Sequence, residues 1–328
     1  MSAERADGPL RVGMIGTGMV AELHARAIRE AGHLELVAVS DIDEARARRH
    51  ASDWGVEFAP SADALINDDR IRAILILTPT QTHASIAESA LSAGRHVLIE
   101  KPVGTPQEIA RLEQAAAERG LVCMPGHNYA YQPEFESVRR LVRDGTLGHV
   151  RALWITYILR HPEEVARHYG GVLDEIMIHH TYLALALLGK PESVFAGRMD
   201  PAWETHPADD QAWMTWHYPK GLSAHLFASF AVDDCTSDPW MFQVKVLGDR
   251  GGADYNWHSA VYQRPLGSLP FAIPAYEDSY IHEHQAFASA IAGRRSLVSP
   301  LADAKTAALI TEGVNSWVDS VSGHGLRP

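Results

Sequence analysis

The first third of the chain alternates short apolar runs with amphipathic stretches. Arg11 to Ile15 read as a strand, Ala21 to Ala31 as a helix, and Leu34 to Val39 as the next strand, ending in Ser40-Asp41. The spacing then predicts a helix near Ala62 to Asn67, a strand from Ile71 to Leu77 and a helix from Ala84 to Ala93. A strand at Val97 to Ile99, a helix from Pro106 to Arg119 and a strand from Leu121 to Met124 follow. Strands that alternate with helices predict an α/β domain around a doubly wound parallel sheet. At Pro125-Gly126 the rhythm changes. After a helix from Pro133 to Asp144, closed by Gly145, strand-like segments follow one another: Val150–Leu159, Glu192–Arg198, Gln211–Tyr218, Leu222–Val232, Met241–Leu247 and Gly252–Trp257. Tyr218-Pro219-Lys220-Gly221 predicts a type I turn joining two of them. Strands in succession predict an α+β domain with an open, mostly antiparallel sheet. The domains expected are therefore 1–125 and 126–328, with helices at Ile281–Ile291 and Leu301–Ser320 closing the fold.

The first strand runs into Gly16-Thr17-Gly18-Met19-Val20-Ala21 and then a helix, which is the setting a dinucleotide fingerprint requires. Gly16 permits the tight turn, Gly18 lets the backbone approach a pyrophosphate, and Ala21 lets helix and strand pack closely. The helix N-terminus then receives the phosphates. Asp41 stands where an acid binds the adenine ribose hydroxyls; it would repel a 2′-phosphate, which favours NAD over NADP. Asp41 could also cap the helix that begins at Asp43. The loop Thr78-Pro79-Thr80-Gln81-Thr82-His83 leaves another strand's carboxyl end and borders the same crevice, where His83 is either a ligand contact or an exposed helix-start residue.

The apolar run Val97-Leu98-Ile99 ends abruptly in Glu100-Lys101-Pro102, so an acid and a base reach the rim where open α/β sheets bind ligands. A surface ion pair would look the same in isolation. Farther on, Gly170-Gly171 precede Asp174, Glu175, His179 and His180. If that stretch is one helix, Glu175 and His179 are four apart on one face, and the carboxylate can orient the imidazole as a base. Neither these histidines nor His282-Glu283-His284 form a metal-binding spacing, and the latter reads as a solvated helix start.

Charge narrows the partners. With 41 acidic and 29 basic residues, a formal −12, the chain repels nucleic-acid phosphates and anionic membranes. Arg46, Arg48 and Arg49 read as a solvated helix face behind first-turn acids. Cys123 and Cys235 fit no disulfide or metal framework and suggest a reducing cytoplasm. No apolar run is long enough to cross a membrane, and the polar segment Met1 to Pro9 lacks the core of a signal peptide.

Four blocks in order carry a family resemblance: Gly16 to Ala21, the Thr78-Pro79 loop with His83, Glu100-Lys101-Pro102 after Ala93-Gly94-Arg95-His96-Val97, and the Gly-Gly helix ending at His179. Over nearly its whole length the chain resembles the Gfo/Idh/MocA oxidoreductases, the glucose–fructose oxidoreductase and inositol dehydrogenase family. The resemblance implies an N-terminal Rossmann domain, an NAD cofactor and reversible oxidation of a secondary alcohol on a sugar, sugar nucleotide or cyclitol. It places Lys101, His179 and Glu175 in catalysis. The implied cofactor contacts are Gly16, Gly18, Met19, Ala21, Asp41, Thr78, Pro79, His83, Glu100, Lys101 and Asn128. Tyr129, Arg160, His168 and Tyr169 join Lys101 and His179 as substrate contacts. His179 would take the hydroxyl proton and Lys101 would steady the same oxygen, with the reverse assignment open. Glu175 stands where the family usually has Asp, Met177 where it often has Gly, and Tyr182 where a second acid is common. An NAD-retaining glycosidase or eliminase, or a non-catalytic NAD-dependent sensor, would share these residues. The resemblance also implies a homodimer or homotetramer built through the open sheet face; alternating Trp213 and Thr215 against Met214 and Trp216 leave apolar side chains on both faces. The aromatic segment from Tyr255 to Tyr280 either lines a substrate mouth or packs at a core edge.

Overall fold

The computed structural model describes residues 8–162, 170–199, 209–232, 240–257 and 274–322. The chain divides into two compact units, residues 1–132 with 277–305, and residues 133–276 with 306–328. In the middle of the chain the units divide between Gln132 and Pro133, and residues 277–305 return to the first unit. Sequence periodicity carries no signal for such a return.

The first unit runs β1 (Leu10–Ile15), α1 (Ala21–Ala31), β2 (Leu34–Ser40), α2 (Glu44–Trp54), β3 (Glu57–Phe58), α3 (Ala62–Ile66), β4 (Ala73–Ile76), α4 (Thr80–Ser92), β5 (His96–Glu100), α5 (Pro106–Arg119) and β6 (Cys123–Gly126), then a 3₁₀ turn at Asn128–Tyr131. Its six strands are all parallel in the order β3-β2-β1-β4-β5-β6. The short edge strand β3 has no apolar run of its own and was not predicted. Helices on both faces explain why β4 and β5 are continuous apolar runs: Ile74, Leu75, Ile76, Val97, Leu98 and Ile99 are fully buried. The chain order reverses between β1 and β4, and a ligand crevice opens at the carboxyl ends of strands where that happens.

The second unit contains α6 (Pro133–Arg143), β7 (Val150–Ile158), α7 (Val172–Glu175), α8 (Met177–Leu188), β8 (Ser193–Arg198), β9 (Gln211–His217), β10 (Ser223–Ser229), β11 (Met241–Gly248) and β12 (Gly251–Asn256). Two C-terminal helices follow, α9 (Pro274–Ile291) and α10 (Leu301–Ser322). The sheet order is β12-β11-β7-β10-β9-β8, antiparallel except for the β7–β10 pair. β9 alternates cleanly: Ala212, Met214 and Trp216 are buried while Trp213 and His217 are exposed. Helix α8 covers the buried face at β7 and β10. The turn between β9 and β10 is not the expected type I, because Lys220 takes a left-handed conformation with φ 61°.

Candidate active site

A cavity of about 630 Å³ opens at the reversal point of the first unit's sheet, lined by Gly16, Gly18, Met19, Asp41, Thr78 and Pro79, with Arg46 at its wall. The two glycines serve different purposes. A Cβ at Gly16, whose φ is +95°, would stand 2.7 Å from the Leu77 carbonyl carbon and oxygen, so the protein's own backbone demands glycine there. A Cβ at Gly18 would meet no protein atom within 4 Å. The space over Gly18, just before the N-terminal turn of α1, is therefore open to a ligand, as a pyrophosphate requires. Ala21 is fully buried at the first turn of that helix and keeps it close to the sheet.

Asp41 is held in place rather than spent on a helix cap. Its side chain accepts from the Thr17 N–H at 2.6 Å, the Thr17 hydroxyl at 2.9 Å, the Asp43 N–H at 2.9 Å and Arg46 Nη2 at 2.9 Å. The cap of α2 is Asp43, which accepts from the Arg46 N–H. Burial alone would push the Asp41 carboxyl up; the bonds from Asp43, Thr17 and Arg46 outweigh it and hold the group below its ordinary range. Arg46 accordingly does not belong to a purely solvated face, although Arg48 pairs with Glu44 outside. The glycine turn, the helix start, the carboxylate at the end of β2 and the open space over Gly18 fit a dinucleotide.

Next to this crevice the chain bends through a cis Lys101–Pro102 peptide at the end of β5. Glu100 is buried: one carboxylate oxygen accepts the Lys101 N–H at 2.9 Å and the other meets His24 Nε2 at 3.0 Å. Burial opposes its charge, but the His24 bond, the charges of His24 and Lys101 and the Lys101 N–H together hold the carboxyl ionised. His83, expected at the cofactor or in solvent, is 1% exposed, and its two ring nitrogens reach the Pro102 carbonyl at 2.8 Å and the Thr78 carbonyl at 2.6 Å. It ties the β4 loop to the lysine turn and does not line the cavity. Asn128 is likewise turned inward, donating to the Ser279 hydroxyl at 2.8 Å, and Tyr129 is 2% exposed. His127, which the sequence did not single out, is buried against the Ser299 hydroxyl at 2.6 Å; burial and then the Lys101 charge push it down to about 3.

In the second unit the expected continuous helix is broken. Ile176, at φ −111° and ψ −44°, separates α7, which ends at Glu175, from α8, which carries His179. His179 is 6% exposed, and its Nδ1 meets the Tyr182 hydroxyl at 2.6 Å. Tyr182 is fully buried at the position where an acid was missed, and it supplies the polar partner instead. Met177 is buried in the core, away from any surface. His180 is fully buried with neither ring nitrogen hydrogen-bonded among the described residues, and burial pushes it down to about 3, so it packs as a neutral ring. Arg160 is exposed beyond the end of β7. His168, Tyr169, Cys235 and most of the Tyr255–Tyr280 aromatic segment lie outside the described residues.

Two family models match the chain. Residues 10–127 match the oxidoreductase family with an NAD-binding Rossmann fold, and residues 135–254 match the GFO/IDH/MocA C-terminal domain. The chain belongs to the Gfo/Idh/MocA oxidoreductases. Among curated relatives, it is 31% identical to the UDP-N-acetylglucosamine 3-dehydrogenase of Acidithiobacillus ferrooxidans over 83% of this chain and 82% of the relative. It is 32% identical to the inositol 2-dehydrogenase of Rhizobium meliloti over 57% of this chain and 58% of that one. In fold, it is similar to the scyllo-inositol dehydrogenase of Lactobacillus casei with bound NAD(H) and scyllo-inositol, at TM-score 0.81 and 18% identity over 95% of this chain and 97% of that chain. The protein is therefore an NAD-dependent oxidoreductase with a Rossmann first unit. No described helix of this family member is long and apolar enough to cross a membrane, and no cluster of three or more His, Cys, Asp or Glu among the described residues is placed to hold a metal ion.

Proposed function

We propose that this dehydrogenase reversibly oxidises a secondary alcohol of a sugar, a sugar nucleotide or a cyclitol. The observation that carries the reading is the placement, at the carboxyl end of one sheet, of a dinucleotide cradle and of Lys101 beside a buried, ionised Glu100. Lys101 binds the reacting oxygen and steadies the negative charge that grows on it. His179 accepts the hydroxyl proton, and the Tyr182 hydroxyl fixes its ring. NAD, when bound, supplies the hydride acceptor. Gly16, Gly18, Met19, Ala21, Asp41, Thr78 and Pro79 hold it, while His83 and Glu100 brace the walls. The dehydrogenases of a nucleotide sugar and of inositol among the relatives support the substrate class. Arg160 is assigned to a substrate hydroxyl or phosphate.

The outer face of the second sheet exposes Trp154, Phe195, Trp213 and Leu247. We assign this face to a homodimer or homotetramer contact, because apolar side chains in that number are costly in water. We also assign the enzyme to the cytoplasm, whose reducing conditions suit the buried free thiol of Cys123.

The test is incubation with NAD and a panel of cyclitols, sugars and sugar nucleotides. Net NADH formation, stoichiometric with a ketone product, is expected. Product release with no net NADH, or tight NAD binding with neither product, would overturn the dehydrogenase reading.

A further inference from the structure

The first unit buries more titratable chemistry beneath Lys101 than cofactor binding requires. Helix α1 contributes His24, and α9 contributes Glu283 and His284; all three are fully buried. The sequence suggested a solvated helix start at His282-Glu283-His284, and the structure reverses that reading. His24 Nδ1 meets His284 Nε2 at 2.9 Å, while its Nε2 meets Glu100 at 3.0 Å. The Glu100 carboxylate can only accept, so His24 Nε2 carries the proton. The other ring nitrogen, Nδ1, shares its hydrogen bond with His284 Nε2 and so ties α1 to α9. Tyr280 packs edge-on against the His24 ring at 4.9 Å.

Glu283, His284 and His127 beside the file are pushed toward their neutral forms. Glu283 has no hydrogen-bond partner for either oxygen among the described residues; burial and then the Glu100 charge push it well above the ordinary carboxyl range. His284 is pushed well below its ordinary range by burial and then by His24. His127, facing Lys101 from the turn after β6, is neutral for the same reason. Glu100 is thus the ionised carboxylate facing Lys101 in this cluster, and its largest favourable interaction is the hydrogen bond from His24.

We propose that His24 and His284 are positioning residues for the reaction: the file His284–His24–Glu100 holds the Glu100 carboxylate in place beneath Lys101 as the counter-charge of the lysine at the reacting oxygen. The inference rests on the assignment of Lys101 to that oxygen. The consequence has a sign. Removing the His24 donor leaves a buried carboxylate without its main support, so Glu100 takes up a proton and Lys101 loses its counter-charge. The lysine then deprotonates at lower pH.

The experiment compares wild type with His24→Phe, His24→Gln and His284→Leu in the full chain. Two curves are recorded: the pH profile of kcat/KM, and the pH dependence of Lys101 acetylation by acetic anhydride, read by peptide mass spectrometry without turnover. In His24→Phe both the alkaline limb and the lysine titration should move down by about one pH unit. His24→Gln, whose amide can donate to Glu100, should restore at least half of that shift, and His284→Leu should give a smaller shift in the same direction. Should His24→Phe fail to fold, His284→Leu against His24→Gln carries the same comparison. Curves that superimpose on wild type, or activity lost in both His24 variants with neither curve displaced, would overturn the proposal. Lys101→Ala separates the two claims. Full turnover in that variant removes the role of Lys101 itself, whereas lost turnover with an unmoved His24→Phe titration removes only the file beneath it.

Discussion

The Lys101 and His179 regions hold their functional groups by different means. Around Lys101 the backbone does most of the positioning: strand ends aim Gly16, Asp41, Thr78 and Glu100 at one rim, and N–H groups of Thr17, Asp43 and Lys101 fix the carboxylates. Around His179 a side chain does it, since the imidazole is held by the Tyr182 hydroxyl on a helix that starts only after the break at Ile176. Backbone-built sites constrain residue type at fixed spacing. A side-chain pair can exchange an acid for a phenol and keep its geometry.

The largest effect should come from His179→Asn. Loss of a general base costs about 10²–10⁴-fold in kcat, and isothermal titration should show NAD binding as in wild type. A variant within tenfold of wild type would move the base elsewhere.

The glycines give the next contrast. Gly16→Ala adds a Cβ 2.7 Å from the Leu77 backbone at φ +95°, and strain of that kind costs about 1–3 kcal/mol in stability. Gly18→Ala meets no protein atom, so its melting temperature should hold while NAD affinity falls. Calorimetry and titration on the pair would contradict the cradle if both variants were equally destabilised and bound NAD equally well.

A smaller effect sharpens the second unit. Tyr182→Phe removes the hydroxyl that meets His179, and loss of one such hydrogen bond is worth about 1 kcal/mol, roughly fivefold in kcat. Glu175→Gln should cost less. The reverse order in steady-state kinetics would return the orienting role to Glu175.

The smallest effect concerns stability. The Asp41 carboxyl lies below its ordinary value of 3.8 when folded, so the stability it contributes is fully present above about pH 4 and is lost as pH falls through the depressed folded value. Urea denaturation should show Asp41→Asn less stable than wild type at pH 7 and the gap closing in acid. A gap that is constant with pH would mean the carboxylate charge contributes nothing.

Legibility followed the same division. The parallel sheet, the glycine turn, Asp41 and the Glu100-Lys101-Pro102 exit were readable because apolar strands and obligatory backbone conformations leave marks in sequence. The inward hydrogen bonds of His83 and Asn128 were not readable, because nothing local says that a polar side chain will find a partner inside. The helix break at Ile176 was invisible, since Asp174 to His180 suits a helix throughout. The pairing of His24 with His284, 260 positions apart, had no sequence signal either. Only the return of the C-terminal helix to the first unit creates it.

The most direct test is single-turnover hydride transfer by Lys101→Ala, followed by NADH absorbance with a substrate that wild type oxidises and with NAD affinity measured alongside. Loss of one group that stabilises the developing charge predicts a fall of about 10²–10³-fold with NAD binding retained. Transfer at the wild-type rate would contradict the account.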